Sequence, residues 1–270
     1  MIKMNRIMKT MFAGILAFGM VVFTGCSHDS SSGMGTLQVK LHDAPADYDE
    51  VNIFIERVEV NNTTGNGGWQ TISEPNESFN LLELTNGVFE MIADVELEAG
   101  FYPQIRLILS RDANTVVIDG KSHNLFVPSG AQTGVKLNIN AEIREGIVYT
   151  LLLDFDALRS VVKTGQATKP GYILKPVIRA TNGAITGNIG GVVTPIDARA
   201  VVYAIAGVDT ISTTFADENN GEFLLVGLAD GEYDVSVEPR EDGFEGTRFG
   251  GIRVTVNETT DVGTIELGAN

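Results

Sequence analysis

Helical periodicity is nearly absent from this chain, and short runs of alternating apolar and polar residues take its place. Residues 36–41 alternate cleanly, and similar runs recur between turns rich in Gly, Asn and Asp. A period of two residues is typical of strands that bury one face. The sequence therefore predicts an all-β fold of two tandem β-sandwich domains. One or two short helices are expected in the first domain, over Leu81 to Thr85 and Ala157 to Lys163.

Three local patterns refine this prediction. The apolar phase of the strand over 51–60 shifts near Glu56-Arg57, which indicates a β-bulge. Asp119-Gly120 lies between two strand-like runs and favours a type I′ hairpin turn. The pattern L-x-x-G-x-Y occurs at 97–102 and again at 228–233. In both copies we expect the tyrosine to bury its ring while its hydroxyl binds a backbone group.

A change in composition divides the chain. No lysine follows Lys175, and seven strand-like runs fill the residues after Thr181-Asn182-Gly183. We therefore predict one β-rich domain over 36–180 and a second over 181–270. Because Cys26 is the only cysteine, no internal disulfide can form, so each domain must be held by its own core.

The first 25 residues have the organisation of a secretion signal. Lys3, Arg6 and Lys9 are its only charged residues, and the apolar run over 11–23 follows. That run is shorter than the ~20 residues that a membrane-spanning helix needs. Residues 26–35, which are mostly small and polar, are expected to form a flexible tether.

Thr24-Gly25-Cys26 resembles the cleavage site of bacterial lipoproteins. The resemblance implies that Cys26 becomes the first residue of the cleaved protein and carries acyl chains. The membrane would then be a partner of the protein, bound through these acyl chains. The residue after the cysteine is Ser27, and this resembles the pattern of lipoproteins that are sorted to the outer membrane. Ordinary cleavage that leaves Cys26 as a free thiol is the alternative.

Several blocks of the first domain resemble a bacterial family known only as domain of unknown function 4382. The resemblance covers about 36–179 and implies a β-rich secreted or lipoprotein domain with no agreed activity. The residues that carry it are 41–60, 80–87, 127–138, 151–165 and 172–179.

The second domain is similar to carboxypeptidase-regulatory-like, prealbumin-type sandwiches. The similarity rests on Ala184 to Ile189, Gly221-Glu222-Phe223, and Leu228 with Gly231 and Tyr233. Such a resemblance implies a fold and is a weak guide to function.

Five aspartates are the metal candidates: Asp43, Asp47, Asp49, Asp154 and Asp156. Oxygen-rich loops of this kind can hold a structural Ca²⁺, which takes 6–8 oxygen ligands. A pair of carboxylates such as Asp154 and Asp156 could alternatively hydrolyse a glycan. The competing interpretation is that these residues cap turns and the helix beginning near Ala157. A melting temperature that rises with Ca²⁺ and falls with a chelator would test the calcium hypothesis.

Three aromatic side chains are candidates for a binding surface. Trp69 is the only tryptophan and adjoins a loop rich in Gly and Asn. Phe244 and Phe249 lie in the segment 241–251, which its glycines and charges predict to be a mobile loop. Exposed aromatic rings of this kind stack on sugars, whereas the alternative is that all three pack against strand edges.

The sequence gives little support for nucleic-acid binding or for histidine-based catalysis. The net charge of −16 opposes binding to nucleic acid, whose affinity depends on Lys and Arg at phosphates. His28, His42 and His123 lie in separate segments without a nucleophile motif, so no histidine-based catalytic site and no cofactor are predicted. We predict a non-enzymatic envelope protein with a binding or adhesion-accessory role toward a glycan or protein. The alternatives are a structural spacer and a carboxylate-based hydrolase.

Overall fold

The computed structural model describes residues 33–62, 68–128, 133–165 and 171–269. The predicted signal, the tether up to residue 32 and Cys26 lie outside the described residues. Within the described part, no helix has the length and apolar character needed to cross a membrane. The predicted all-β fold class is confirmed, since strands form nearly all of the regular structure.

The described residues contain 22 strands. In chain order the strands are β1 (Met34–Ala44), β2 (Glu50–Asn62), β3 (Gly68–Ser73), β4 (Glu77–Asn80), β5 (Glu90–Glu98), β6 (Gly100–Leu109), β7 (Thr115–Ile118), β8 (Lys121–Phe126), β9 (Val135–Ile143), β10 (Val148–Asp156), β11 (Val161–Lys163), β12 (Tyr172–Leu174), β13 (Ile178–Asn182), β14 (Thr186–Thr194), β15 (Val201–Ala206), β16 (Asp209–Phe215), β17 (Glu222–Ala229), β18 (Gly231–Glu238), β19 (Phe244–Glu245), β20 (Thr247–Val254), β21 (Thr259–Glu266) and β22 (Gly268–Ala269).

Helical segments are short. The α-helix α1 (Ala157–Ser160) is one turn long, and 3₁₀-helices span Leu81–Glu83, Gly183–Ile185 and Ile196–Ala198. Both predicted helices of the first domain therefore exist but are shorter than expected. The prediction for 161–163 was wrong, because the β-branched Val161 and Val162 continue as strand β11.

Two sheets enclose the first hydrophobic core. Sheet I has the strand order β13-β10-β1-β5, and the nine-stranded sheet II follows the order β11-β12-β8-β7-β2-β6-β9, with β3 and β4 also paired to β2. Alternate residues of β1, such as Leu37 and Leu41, are fully buried between them. We call these described residues up to Asn182 the first lobe.

A second, separate core lies between two smaller sheets. Sheet III has the order β17-β14-β21, and sheet IV has the order β16-β15-β18-β20. Ile189 and Leu225 from sheet III meet Val202 and Val235 from sheet IV, and all four are fully buried. We call the described residues from Gly183 onward the second lobe. The exact domain limits of 36–180 and 181–270 stay a prediction.

The local patterns in the sequence have the expected structural roles. The register of β2 against β6 shifts between Ile55 and Arg57, which confirms the bulge. Asp119 and Gly120 have φ values of 51° and 68°, as a type I′ turn requires.

The repeated L-x-x-G-x-Y pattern forms the same corner in each lobe. Tyr102 and Tyr233 are both buried. Each hydroxyl donates a hydrogen bond of 3.0 Å to the carbonyl oxygen four residues earlier, at Glu98 and at Ala229. The prediction of a buried ring with a backbone partner is confirmed.

The two lobes are joined by a side chain that binds an edge strand. Asn86 and Gly87 form a tight turn closed by the hydrogen bond from the Val88 N–H to the Thr85 carbonyl (3.0 Å). The side-chain amide of Asn86 donates to the Glu222 carbonyl (3.2 Å) and accepts from the Leu224 N–H (2.6 Å). Because β17 is an edge of sheet III, the amide supplies partners that a neighbouring strand would otherwise provide.

Close packing beside this turn depends on two glycines. Gly87 has φ +83°, and a Cβ there would stand 2.7 Å from a methyl carbon of Leu224. At Gly227 of β17, a Cβ would stand 3.5 Å from Nη2 of Arg179 on β13. Sheet III thus lies close against the outer face of sheet I. A side chain at Gly87 would displace the Leu224 methyl group, and the φ of +70° favours glycine at Gly227.

We predict that Asn86→Ala weakens the docking of the lobes. Alanine removes two hydrogen bonds, each worth about 0.5–1.5 kcal/mol, and must adopt a left-handed φ at a cost of roughly 1–2 kcal/mol. The control is Asn76→Ala, because Asn76 is an exposed asparagine of the same lobe with a similar φ of 49°. Denaturant unfolding should show a larger loss of stability for Asn86→Ala, and equal losses in the two variants would contradict the docking role.

Candidate functional site

A groove runs between the two lobes. It consists of a cavity of about 630 Å³ and a neighbouring cavity of about 420 Å³. The two cavities share five residues, which are Pro45, Ala46, Asp47, Phe215 and Arg240. Among them, Arg240 forms an ion pair with Asp47. The guanidinium carbon of Arg240 lies 4.2 Å from the centre of the Phe215 ring. We refer to the two cavities together as the interlobe groove.

The wall from the first lobe is formed where β1, β10 and α1 end or begin. The loop after β1 supplies Asp47, the end of β10 supplies Asp154 and Asp156, and α1 supplies Arg159. Arg179 at the start of β13 completes this wall. These segments meet because β10 pairs with β1 on one side and with β13 on the other.

The opposite wall is the outer face of sheet IV. Along β16, Ile211, Thr213 and Phe215 are half-buried and line the groove, whereas the alternate residues Ser212 and Thr214 are buried, with Ser212 also reaching the larger cavity. The alternation follows from the period of two in a strand. Tyr203 on β15 lies on the same face, so an aromatic and aliphatic surface confronts the charged wall of the first lobe.

Three ionisable side chains form a row across the outer face of sheet I, the face on which sheet III lies. His42 on β1 is opposite Asp154 on β10, and Asp154 is opposite Arg179 on β13. Arg179 Nη2 lies 3.0 Å from Asp154 Oδ2. Burial lowers the pKa of His42 from its ordinary value, although the neighbouring Asp154 opposes this effect. His42 is therefore neutral at pH 7, and its Nδ1 lies 3.1 Å from the Val88 carbonyl.

One N–H donor of Arg179 has no hydrogen-bond partner among the described residues. This donor is the Nε, which is buried. The side chain itself lines the larger cavity. A buried N–H without a partner is costly, and because this atom is closed to solvent it is not itself available to a molecule in the groove.

Asp43 lies fully buried beside this wall. Its Oδ1 accepts a hydrogen bond from the Ala157 N–H (3.0 Å), and its Oδ2 has no partner among the described residues. Burial raises the pKa of Asp43 well above its ordinary value, and the carboxylates of Asp154 and Asp156 raise it further. The Asp43 side chain thus binds the first backbone N–H of α1, and it carries a proton more readily than an exposed aspartate does.

The other calcium candidates have protein partners as well. Asp156 is the N-cap of α1 and accepts from the Arg159 N–H (2.8 Å), as the capping alternative predicts. Asp49 accepts from the Gly120 N–H (2.8 Å). Within the described ranges, no three His, Cys, Asp or Glu side chains lie together in a way that could hold a metal ion. The calcium site stays a prediction.

The three aromatic candidates lie away from the groove. The Trp69 ring, on the outer face of sheet II, has the guanidinium of Arg106 at 4.2 Å and the ammonium of Lys136 at 5.8 Å from its centre. Phe244 and Phe249 are partly buried against the second core. The predicted loop over 241–251 was wrong, because β19 and β20 occupy most of it.

Four of the five candidate aspartates line the interlobe groove, although the sequence indicated only two separate groups and did not indicate their partners. Asp47, Asp154 and Asp156 line the larger cavity, and Asp49 lines the smaller one. Arg179, Arg240 and Phe215 had no distinguishing pattern, since each is a single residue in an ordinary strand or turn. Their common surface arises only from the docking of the lobes.

We predict that Asp43→Asn stabilises the protein more at about pH 8 than at about pH 5. The pKa of Asp43 is raised in the folded state, so its stabilising contribution is complete below the unfolded pKa of about 3.9 and is lost as the pH rises through the folded value. Asparagine keeps the Oδ1 acceptor and cannot ionise. Melting temperatures at the two pH values would measure this, with the exposed Asp112→Asn as control, and a difference independent of pH would contradict it.

Comparisons with solved structures give only remote likenesses. The Bacillus anthracis TIE protein is 12% identical over 88% of this chain, with a TM-score of 0.26, and this chain spans about a third (34%) of its length. GBS52, a minor pilin of Streptococcus agalactiae, is 11% identical, with 86% of this chain and 96% of that chain covered and a TM-score of 0.21. The C-terminal fragment of the pilus adhesin SpaC from Lactobacillus rhamnosus GG is 9% identical, with coverages of 87% and 98% and a TM-score of 0.21. TM-scores this low carry no implication for function.

No curated protein matches the chain. One family model does match, over residues 34–176, which is slightly more than half of the sequence and nearly the range that the sequence motifs indicate. The chain therefore belongs to the family described as Domain of unknown function (DUF4382).

Proposed function

We propose that this protein is a lipid-anchored component of the bacterial cell envelope, held at the outer membrane by acyl chains on Cys26. In this proposal it binds a glycan or a protein through the interlobe groove and does not transform its ligand. The lipoprotein-like motif at Cys26 supports the anchor. The second lobe, as a prealbumin-type sandwich, supplies one wall of the binding site.

The interlobe groove is the observation that carries the binding role. The larger cavity, at about 630 Å³, has the size of a ligand site, and it lies where ligand sites are common, between two packed bodies. Its walls combine an apolar surface around Phe215 and Tyr203 with hydrogen-bonding groups of Arg179 and Asp154. The Arg179 side chain as a whole is 35% exposed, so its guanidinium can donate to a ligand.

The roles of the two central carboxylates favour binding over hydrolysis. A glycosidase needs one carboxyl group to deliver a proton and the other to act as base or nucleophile. Here Asp154 pairs with Arg179, and both oxygens of Asp156 face Arg159, one as a helix cap and the other at 3.8 Å from its Nε. Groups already committed to such contacts suit a rigid binding wall.

The anchor is tested by fractionating the native host. We expect Cys26→Ser to move the protein from the membrane fraction to the soluble fraction, because each buried CH₂ of an acyl chain contributes about 0.8 kcal/mol of membrane affinity. Ser27→Ala, which keeps the cysteine, is the control and should stay on the membrane. Retention of the Cys26→Ser protein on the membrane would rule out the acyl anchor.

The binding role is tested by recovering envelope material with detergent-extracted full-length protein. Arg179→Ala should lower the recovery of specific partners on the order of tenfold, as expected for a central binding residue. Arg248→Ala is the matched control, because Arg248 also forms an ion pair, with Asp234 at 2.7 Å, but does not line the groove. A structural spacer would instead show the same recovery for both variants.

A further inference from the structure

The interlobe groove has the chemistry of a site for an uncharged, linear oligosaccharide. This inference rests on the proposed binding function and specifies its ligand class. We propose that such a chain lies along both cavities, with one sugar ring against Phe215 at the point where the cavities join. Four features of the groove lead to this assignment.

The first feature is continuity. The two cavities meet at the Arg240–Asp47 pair and Phe215, so a chain-like ligand can occupy both while contacting the same central residues. A compact ligand would fill only one cavity. The shape of the groove therefore favours a linear polymer.

The second feature is the pairing of charges. Every arginine that lines the groove faces a carboxylate: Arg179 with Asp154, Arg159 with Asp156, Arg240 with Asp47 and Arg199 with Glu218. Only the Arg240–Asp47 pair crosses between the lobes, so the other three do not hold the lobes together. Each pair presents N–H donors beside carboxylate acceptors, which suits neighbouring hydroxyl groups because a hydroxyl both donates and accepts.

The third feature is the net charge of the lining. Seven carboxylates and four arginines line the two cavities, and lysine and histidine do not occur among them. An acidic polymer would meet repulsion from this surface and from the protein's overall charge of −16. Four of the seven carboxylates are paired with the arginines and Asp49 accepts from the Gly120 N–H, so the groove presents few acids to a polycation.

The fourth feature is the flat apolar surface. The guanidinium of Arg240 covers one face of the Phe215 ring at 4.2 Å from its centre, and Tyr203 and Ile211 extend the apolar surface beside it on the same face of sheet IV. The apolar C–H face of a sugar ring packs well on such a surface. An extended peptide would instead pair its backbone with an open strand edge, and because β16 is the edge strand of sheet IV, peptides are included in the test.

The test is an array of uncharged, acidic and cationic oligosaccharides and unstructured peptides, probed with the detergent-extracted full-length protein. We expect binding to uncharged linear chains, weakened about tenfold by Phe215→Leu, which keeps apolar volume but removes the flat ring. Phe249→Leu is the control, because Phe249 is a partly buried aromatic residue of the same sheet that lies outside the groove. Its binding should stay within about twofold of the unaltered protein.

A second pair of variants guards against a folding defect. Arg179→Lys keeps the charge beside Asp154 but removes the planar guanidinium donors, and it should weaken binding several-fold while Arg248→Lys does not. Melting temperatures of all four variants accompany the array.

Three results would overturn the assignment: binding only to charged glycans, binding only to peptides, or equal effects of Phe215→Leu and Phe249→Leu. A silent array with groove-dependent recovery of envelope material would reject the sugar ligand and leave the proposed binding function intact. Silence in both experiments would reject both proposals.

Discussion

The arrangement of the two lobes depends on one side-chain amide of the first lobe, which completes the hydrogen bonding of an edge strand in the second lobe. An edge strand exposes backbone groups that need partners, and the edge strand β17 finds them in Asn86 of the other lobe. Among the described residues the two lobes share no sheet, so their relative position rests on this contact, on the close approach at Gly87 and Gly227, and on the Arg240–Asp47 pair. The amide is directional, which fixes both the distance and the orientation of β17.

The interlobe groove is a consequence of that docking. Once sheet III lies on the outer face of sheet I, the neighbouring sheet IV must face the ends of β1, β10 and β13 across a gap. Charged pairs that would add little as isolated surface ion pairs become the wall of a cavity. In the proposed binding role, the N–H donors and carboxylate oxygens of these pairs are the groups that the wall offers to a ligand.

The sequence predicts what depends on local patterns and misses what depends on tertiary contacts. The strands, the bulge near Arg57, the Asp119-Gly120 turn and the two buried tyrosine corners follow from periodicity and turn chemistry within a few residues. Asn86-Gly87 is equally recognisable as a turn. Its partner Leu224, however, lies 138 residues away, and no local pattern indicates that pairing.

The errors have the same origin. The glycines of 241–251 interrupt the alternation that indicates a strand, yet the pairing of β20 with β18 and of β19 with β22 makes most of this segment a strand. The aspartates were recognised by type as one group in a loop and one pair at a strand end, but the arginines that pair with three of them come from other segments of the chain. A carboxylate cluster read without those partners resembles a metal site more than the paired wall that the fold builds.

Hydrogen exchange at the Leu224 amide tests the central claim, that the lobes dock in one fixed arrangement, most directly. This N–H points away from its own sheet and has Asn86 Oδ1 as its acceptor at 2.6 Å. If the docking is right, the Leu224 amide exchanges as slowly as amides inside sheet III, because exchange requires the lobes to separate. Exchange at the rate of an open edge strand would show that the lobes move independently, and the groove would then lose its structural basis.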